Sequence, residues 1–365
     1  MCFSRKYLFI VILCLGLSGC GPSSMAPNIT NEDALREAKI QKEIAMKTEF
    51  KSVQRLQDVA RPLLIANAPL CGGHVAPYTG MLMQSKATVE KEYRETMAAL
   101  YGVGEWPTVT LISDRSPASK VLQVGDMITH VNGEPIKSGK AGQQSISKVL
   151  ENMEHNGVLS LTVHRQGTPM AVSLKTVEAC HYSVLYEKAA MVNAFADGKA
   201  IHVTQGMLRF VENDEELALV IGHELAHNSR RHHESKQGNA IVGGLLGAVV
   251  TVATGVDVTS LGANIASGVH SQAFENEADY VGMYHTARAG YAIEKAPELW
   301  RRMGASNPAA IHLSGTSHPS TAKRFLALEA TVKEIMRKRA SGAALIPEER
   351  KEESYKNDGP VGLNE

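Results

Sequence analysis

The sequence predicts an α+β chain, a mainly helical domain carrying a small β-sheet and interrupted by a β-rich unit. Three stretches predict it. Residues 31–64 carry apolar side chains at roughly helical spacing with mixed charge between them. Residues 213–234 (NDEELALVIGHELAHNSRRHHE) read as a second helix, with Asn213 as N-cap and Glu216 completing a capping box. Between them, short β-rich runs recur at 108–112, 127–131, 159–163 and 171–174, with a helical segment near 144–155. The 365 residues leave room for two or three domains. Lys plus Arg and Asp plus Glu balance at 38 each, so nothing in the charge points to a nucleic-acid binder or a polybasic membrane patch.

Taken in order, the chain opens with Arg5 and Lys6, then the apolar run 7–17 (YLFIVILCLGL), then Leu17-Ser18-Gly19-Cys20. That run is too short to span a bilayer comfortably. The pattern resembles a bacterial lipoprotein signal over residues 1–19, which implies cleavage before Cys20 and lipid on its sulfur. Gly21, where an Asp would resemble an inner-membrane retention signal, points to the outer membrane, with the body facing the periplasm of a bacterial envelope. Residues 20–30 read as a tether and 31–98 as a helical part of the main domain. Once the signal leaves, Cys71 and Cys180 remain as two thiols in an oxidising compartment, and a disulfide between them is expected.

Residues 99–178 read as the inserted unit. Ser116-Pro117-Ala118, the run 122–128 (LQVGDMI) and Val131-Asn132-Gly133 resemble the PDZ signature of bacterial envelope proteases. The resemblance implies a groove for an extended peptide or a C-terminus, added as a strand to a sheet edge. Strand 108–112 and the 144–155 helix would form that groove, and residues 101–104 (YGVG) would receive the carboxylate.

The helix at 213–234 carries the chemistry. His223 and His227 lie four apart, so both imidazoles share one face and reach one zinc ion, with Glu224 beside them to act on a water. His232 and His233 beyond them read as solvated. Strand 200–204, just upstream, reads either as the edge that holds an extended substrate or as an internal strand. The apolar run 240–256 reads as a buried or membrane-facing helical hairpin. A third ligand comes from Phe274-Glu275-Asn276-Glu277-Ala278-Asp279, where Glu275 and Asp279 share a face. Glu275 is assigned as ligand, Asp279 as the acid that orients a ligand histidine, and Glu277 as a surface acid. His227 is not followed by His-x-x-Gly-x-x-His, so the arrangement resembles a gluzincin rather than a metzincin.

Glu216-Leu217-Ala218, His223-Glu224-Leu225-Ala226-His227, the run 275–279, and Ser317-His318-Pro319 with Arg324 together resemble the peptidase family of the CAAX-prenyl endopeptidases, HtpX and BepA. The resemblance covers residues 180–335, within a catalytic domain at 179–340. It implies a gluzincin-type fold with one zinc per chain on His223, His227 and Glu275, and Glu224 as general base. It also implies a role for His318 near the metal and polypeptide substrates among misfolded or misassembled envelope proteins. The alternative is a protease-like chaperone that docks clients through its PDZ unit. Residues 341–365 read as a disordered tail.

Overall fold

The computed structural model describes residues 27–154, 156–232, 234, 259–306 and 322–349. The signal segment with Cys20, the run 240–256, His233, His318 and the residues after 349 lie outside them. Among the described residues no helix is long and apolar enough to cross a membrane.

Helix α1 (Asn31–Ala66) begins at Thr30, whose hydroxyl accepts from the Asp33 N–H. Its first half exposes Leu35, Ile40 and Ile44, whereas Leu56, Val59, Ala60, Leu63 and Leu64 in the second half are buried in the main core. The chain then leaves through β1 (Val75–Tyr78) and, some hundred residues later, returns through β8 (Val177–Cys180). The two strands pair antiparallel with Val75 opposite Cys180, and a Cys71–Cys180 disulfide closes the base of this ribbon. The linked cysteines are 109 positions apart, so reduction releases a long loop and is expected to cost about 2–5 kcal/mol. Thermal unfolding with and without reductant, beside a Cys71→Ser/Cys180→Ser variant, measures it; an unchanged Tm would show the ribbon holds without the bond.

Between β1 and β8 lies a unit with its own core. It comprises β2 (Met81–Gln84), α2 (Arg94–Tyr101), β3 (Thr108–Ile112), β4 (Met127–Val131), β5 (Glu134–Pro135), α3 (Gly139–Glu151), β6 (Val158–Arg165) and β7 (Thr168–Lys175). The strand order is β2-β3-β4-β6-β7, with β5 on β4. Val109, Ile128, Leu159, Leu161, Val163 and Leu174 meet Ile146 of α3 in a cluster separate from the main core. Asp126, from the Gly125-Asp126 turn that carried the sequence signature, is fully buried. It accepts from the Gln123 N–H and from Arg165 through both carboxylate oxygens, at 2.8 and 2.7 Å.

Three expectations change here. The unit begins before residue 99, because β2 belongs to its sheet and Met81 to its core. β3 is bonded on both sides, by β2 and β4, so no strand can be added there, and the terminal strand on that side of the sheet is β2. The backbone N–H groups of Gly102 and Val103 donate to the Ala98 and Met97 carbonyls as the C-cap of α2, so two of the donors that the 101–104 loop was expected to offer a carboxylate are already used.

The main domain resumes with β9 (Ser183–Glu187), β10 (Ala194–Ala196) and β11 (Ala200–Thr204). β11 lies between the other two, antiparallel to β10 and parallel to β9. Strand 200–204 is therefore internal and offers no edge, the second of the two readings left open above. Among the described residues, α4 (Gln205–Phe210) is followed by four helices: α5 (Asp214–Ser229), α6 (Thr259–Arg288), α7 (Ala296–Ser306) and α8 (Ala322–Ser341). The tail does not detach at 341. Arg288 donates to the Leu345 carbonyl, Lys338 to that of Ile346, and Glu349 pairs with Arg230 at 2.9 Å, so residues up to 349 are strapped onto α6, α8 and the end of α5.

Candidate active site

α5 starts where a helix should. Asn213 accepts from the Glu216 N–H at 2.9 Å, and three acids occupy the first turn, where the helix dipole favours them. The capping box is displaced by one residue: the Glu216 carboxylate accepts from the Glu212 N–H and pairs with Arg302 at 2.6 Å. From Glu216 to Asn228 every residue of α5 is buried, because α1, α6 and the β9–β11 sheet enclose it.

α5 and α6 come together at two glycines. A Cβ on Gly282 would lie 2.8 Å from the His223 Cα, and one on Gly222 would lie 2.4 Å from the Thr286 hydroxyl. This backbone-to-backbone approach lets Glu275, two turns before Gly282, meet the histidines of α5. Gly282→Ala must push the helices apart, since the atoms it meets are main chain. An overpacking cost of about 1–3 kcal/mol is expected. Metal affinity should fall with it, because a ligand set tolerates only about 0.5 Å of displacement. Isothermal titration with zinc and thermal unfolding of the variant check both parts.

The side chains then converge. His223 Nε2 and His227 Nε2 are 3.1 Å apart, and the Glu275 carboxylate stands 3.4 Å from each, one oxygen toward each ring. His223, His227 and Glu275 form a group able to hold a metal ion among the described residues. A tetrahedral zinc site with bonds of about 2.0–2.1 Å sets neighbouring ligand atoms roughly 3.3–3.4 Å apart, and each of these contacts is near that spacing, with the two carboxylate oxygens divided between the two imidazoles. Charge agrees with distance. Burial pushes His223 down, but Asp279 and Glu275 outweigh it and raise the imidazole to about 10. The pocket is built to hold positive charge, and the donor set fits a divalent cation.

Each histidine is held from behind. His223 Nδ1 lies 3.1 Å from Asp279, a charged contact rather than a well-aligned hydrogen bond. Arg324 of α8 donates to both Asp279 oxygens at 2.6 and 2.7 Å. Burial would raise the Asp279 carboxyl, and Arg324 overrides it and lowers it. Arg324 also stands 3.5 Å from Glu275, so its role, left open by the sequence, is to neutralise the carboxylates behind the ligands. His227 Nδ1 lies 2.9 Å from His232 Nδ1, and His232 Nε2 lies 3.1 Å from Glu277. His232 is 2% exposed and stacked on Phe274. It is not solvated, so that expectation fails; Glu277 is a surface acid as expected, its side chain 44% exposed, and it also pairs with His232. The helix pattern could not warn of this, because α5 ends at Ser229 and a left-handed Arg231 (φ 55°) folds His232 back under His227. Glu224 is buried next to His223 on the same helix.

Helix α5 also grips the sheet. Asn228 accepts from the Gly198 N–H at 2.9 Å and donates to the Ala200 carbonyl at 3.0 Å. This pins the β10–β11 turn to α5, with β10 as the outer strand of the sheet on that side.

The sequence profile of peptidase family M48 matches residues 159–332, just under half of the chain. The mitochondrial metalloendopeptidase OMA1 of Arabidopsis thaliana is 32% identical over 151 residues, 40% of this chain and 31% of that protein. The OMA1 of Saccharomyces cerevisiae is 30% identical over 123 residues, 33% of this chain and 36% of that protein. A Vibrio cholerae protein named as a candidate beta-barrel assembly-enhancing protease is 26% identical over 126 residues, 31% of this chain and 26% of that protein. The chain thus spans about a third of the length of these relatives. Among solved structures, the HtrA3 PDZ domain bound to a phage-derived ligand covers 29% of this chain and 89% of its own, at 20% identity and a TM-score of 0.23, too low to carry an argument. The M48 match, the OMA1 and Vibrio relatives and the His-His-Glu group together support a place for this chain among the metallopeptidases.

Proposed function

We propose that the chain is a zinc-dependent endopeptidase of the bacterial envelope that hydrolyses misfolded or misassembled polypeptides. The observation that carries the proposal is the meeting of His223, His227 and Glu275 within reach of one metal ion, with Glu224 one residue after His223 on the same helix. A zinc ion held there supplies Lewis acidity toward water and the peptide carbonyl. The protein does the rest. Glu224 takes the proton of the attacking water and delivers it to the leaving amine. The open side of β10 receives the substrate backbone as an added strand, and Asn228 ties the β10–β11 turn to α5. His318 acts near the metal, either as a removable ligand or as a donor to the oxyanion.

The inserted unit acts as a PDZ-type module that takes a peptide or C-terminus on the open edge of β2. Leu82 is exposed on this strand and Gln143 of α3 donates to the Met83 carbonyl at 2.8 Å. Lipid on Cys20 anchors the protein to the outer membrane.

Measurement of zinc per chain in the purified mature protein, with cleavage of an unfolded reporter protein before and after chelation, tests the proposal. One zinc per chain and chelator-sensitive cleavage are expected. One zinc and firm reporter binding without cleavage would overturn the peptidase reading in favour of a protease-like chaperone.

A further inference from the structure

We propose that His232 and Glu277 are positioning residues that fix the tautomer and the aim of His227 toward the metal. The inference rests on the metal-site reading above. It follows from the direction each hydrogen bond must take. His227 Nε2 faces His223 and Glu275, so Nε2 is the ligand atom and must keep its lone pair. The remaining proton sits on Nδ1, and the atom 2.9 Å away is His232 Nδ1. His227 therefore donates and His232 accepts. With its Nδ1 used as acceptor, neutral His232 carries its proton on Nε2, and the Glu277 carboxylate 3.1 Å away accepts it. No other arrangement of protons satisfies both contacts and leaves His227 Nε2 for a metal. The result is a chain from carboxylate through two imidazoles to the ligand position. It parallels the Arg324–Asp279 support of His223 on the other side.

The surroundings hold His232 to this geometry. Phe274 stacks on its ring at 4.7 Å between centroids, and Arg230 lies 3.8 Å from the second oxygen of Glu277. The turn that brings His232 back puts Arg231 in the left-handed region at φ 55°, a conformation that costs a non-glycine residue about 1 kcal/mol. The strain is met where the ring of His232 reaches His227.

The test uses three variants of the full mature protein and zinc as the probe. Zinc affinity is read by competition with a chelating indicator, and thermal unfolding of the metal-free proteins is recorded alongside. His232→Phe keeps an aromatic ring on Phe274 but can neither accept nor donate, and a loss of about 10–100-fold in zinc affinity is expected. His232→Gln can accept from His227 and donate to Glu277, and should recover a large part of that loss. Glu277→Gln keeps an acceptor without its charge and should fall between them; it also serves if His232→Phe does not fold. Zinc affinity unchanged in His232→Phe and in Glu277→Gln, or a loss in His232→Phe that His232→Gln does not recover, would overturn the relay. A wild-type protein with no measurable zinc affinity would overturn the metal centre itself, and the relay with it.

Discussion

Glu224→Gln is expected to lower peptide cleavage by roughly 10²–10⁴-fold while zinc still binds and the fold persists. The carboxamide has nearly the shape of the carboxylate, so the buried position beside His223 is filled as before. It cannot accept a proton from water, so neither the attack nor the departure of the amine is assisted. Glu224 is not among the three side chains able to hold a metal, His223, His227 and Glu275, so zinc per chain should match wild type. Cleavage of an unfolded reporter under single-turnover conditions, with zinc measured on the same samples, reads both quantities. Cleavage persisting within about threefold of wild type would remove Glu224 from the general-base role.

Arg324→Leu is expected to cost about 3–5 kcal/mol of stability, the range for stripping the partner from a buried charge. Arg324 is buried, donates twice to Asp279 and lies near Glu275. Without it, Asp279 keeps only its contact with His223. Replacing both partners, as Arg324→Leu with Asp279→Asn, should restore much of the stability but not zinc affinity, because His223 then loses the carboxylate that aims it. The pH dependence has a definite sign. Asp279 is depressed in the folded protein, so its contribution is present above the ordinary carboxylate pKa of about 4 and fades as the pH falls through the folded value. Urea unfolding of wild type and Arg324→Leu should therefore show a gap that is wide near neutral pH and narrows in acid. A constant gap would mean that the charge pair is not its source.

How much of this was legible depended on the range of the interaction. The metal helix was readable because its signals are local: Asn213 caps the N–H of Glu216, and residues four apart share a face whatever surrounds them. The same rule placed Glu275 and Asp279 together on α6, one toward the histidines and one behind His223. The turn at Gly125-Asp126 was equally local, and its buried acid finds Arg165 across the sheet.

Contacts between distant segments were not legible. Strand order is one case: 200–204 and 108–112 have the composition of strands, but whether a strand is internal or an edge depends on which neighbours pair with it. Both are internal, β11 through β9 and β10, β3 through β2 and β4. Gly222 and Gly282 carry no mark of helix contact, and their closeness exists only once α5 and α6 are packed. His232 is the sharpest instance. At five residues beyond His227 a continued helix would carry its side chain about 140° around the axis, away from the site. A single left-handed residue, Arg231, breaks that periodicity and returns the ring to His227. Local hydrogen bonding and periodicity are written into neighbouring residues, so the chain alone specified its metal helix and the acids facing it. Strand neighbours, helix approach and the support behind each histidine depend on packing between segments up to a hundred residues apart, and folding alone set them.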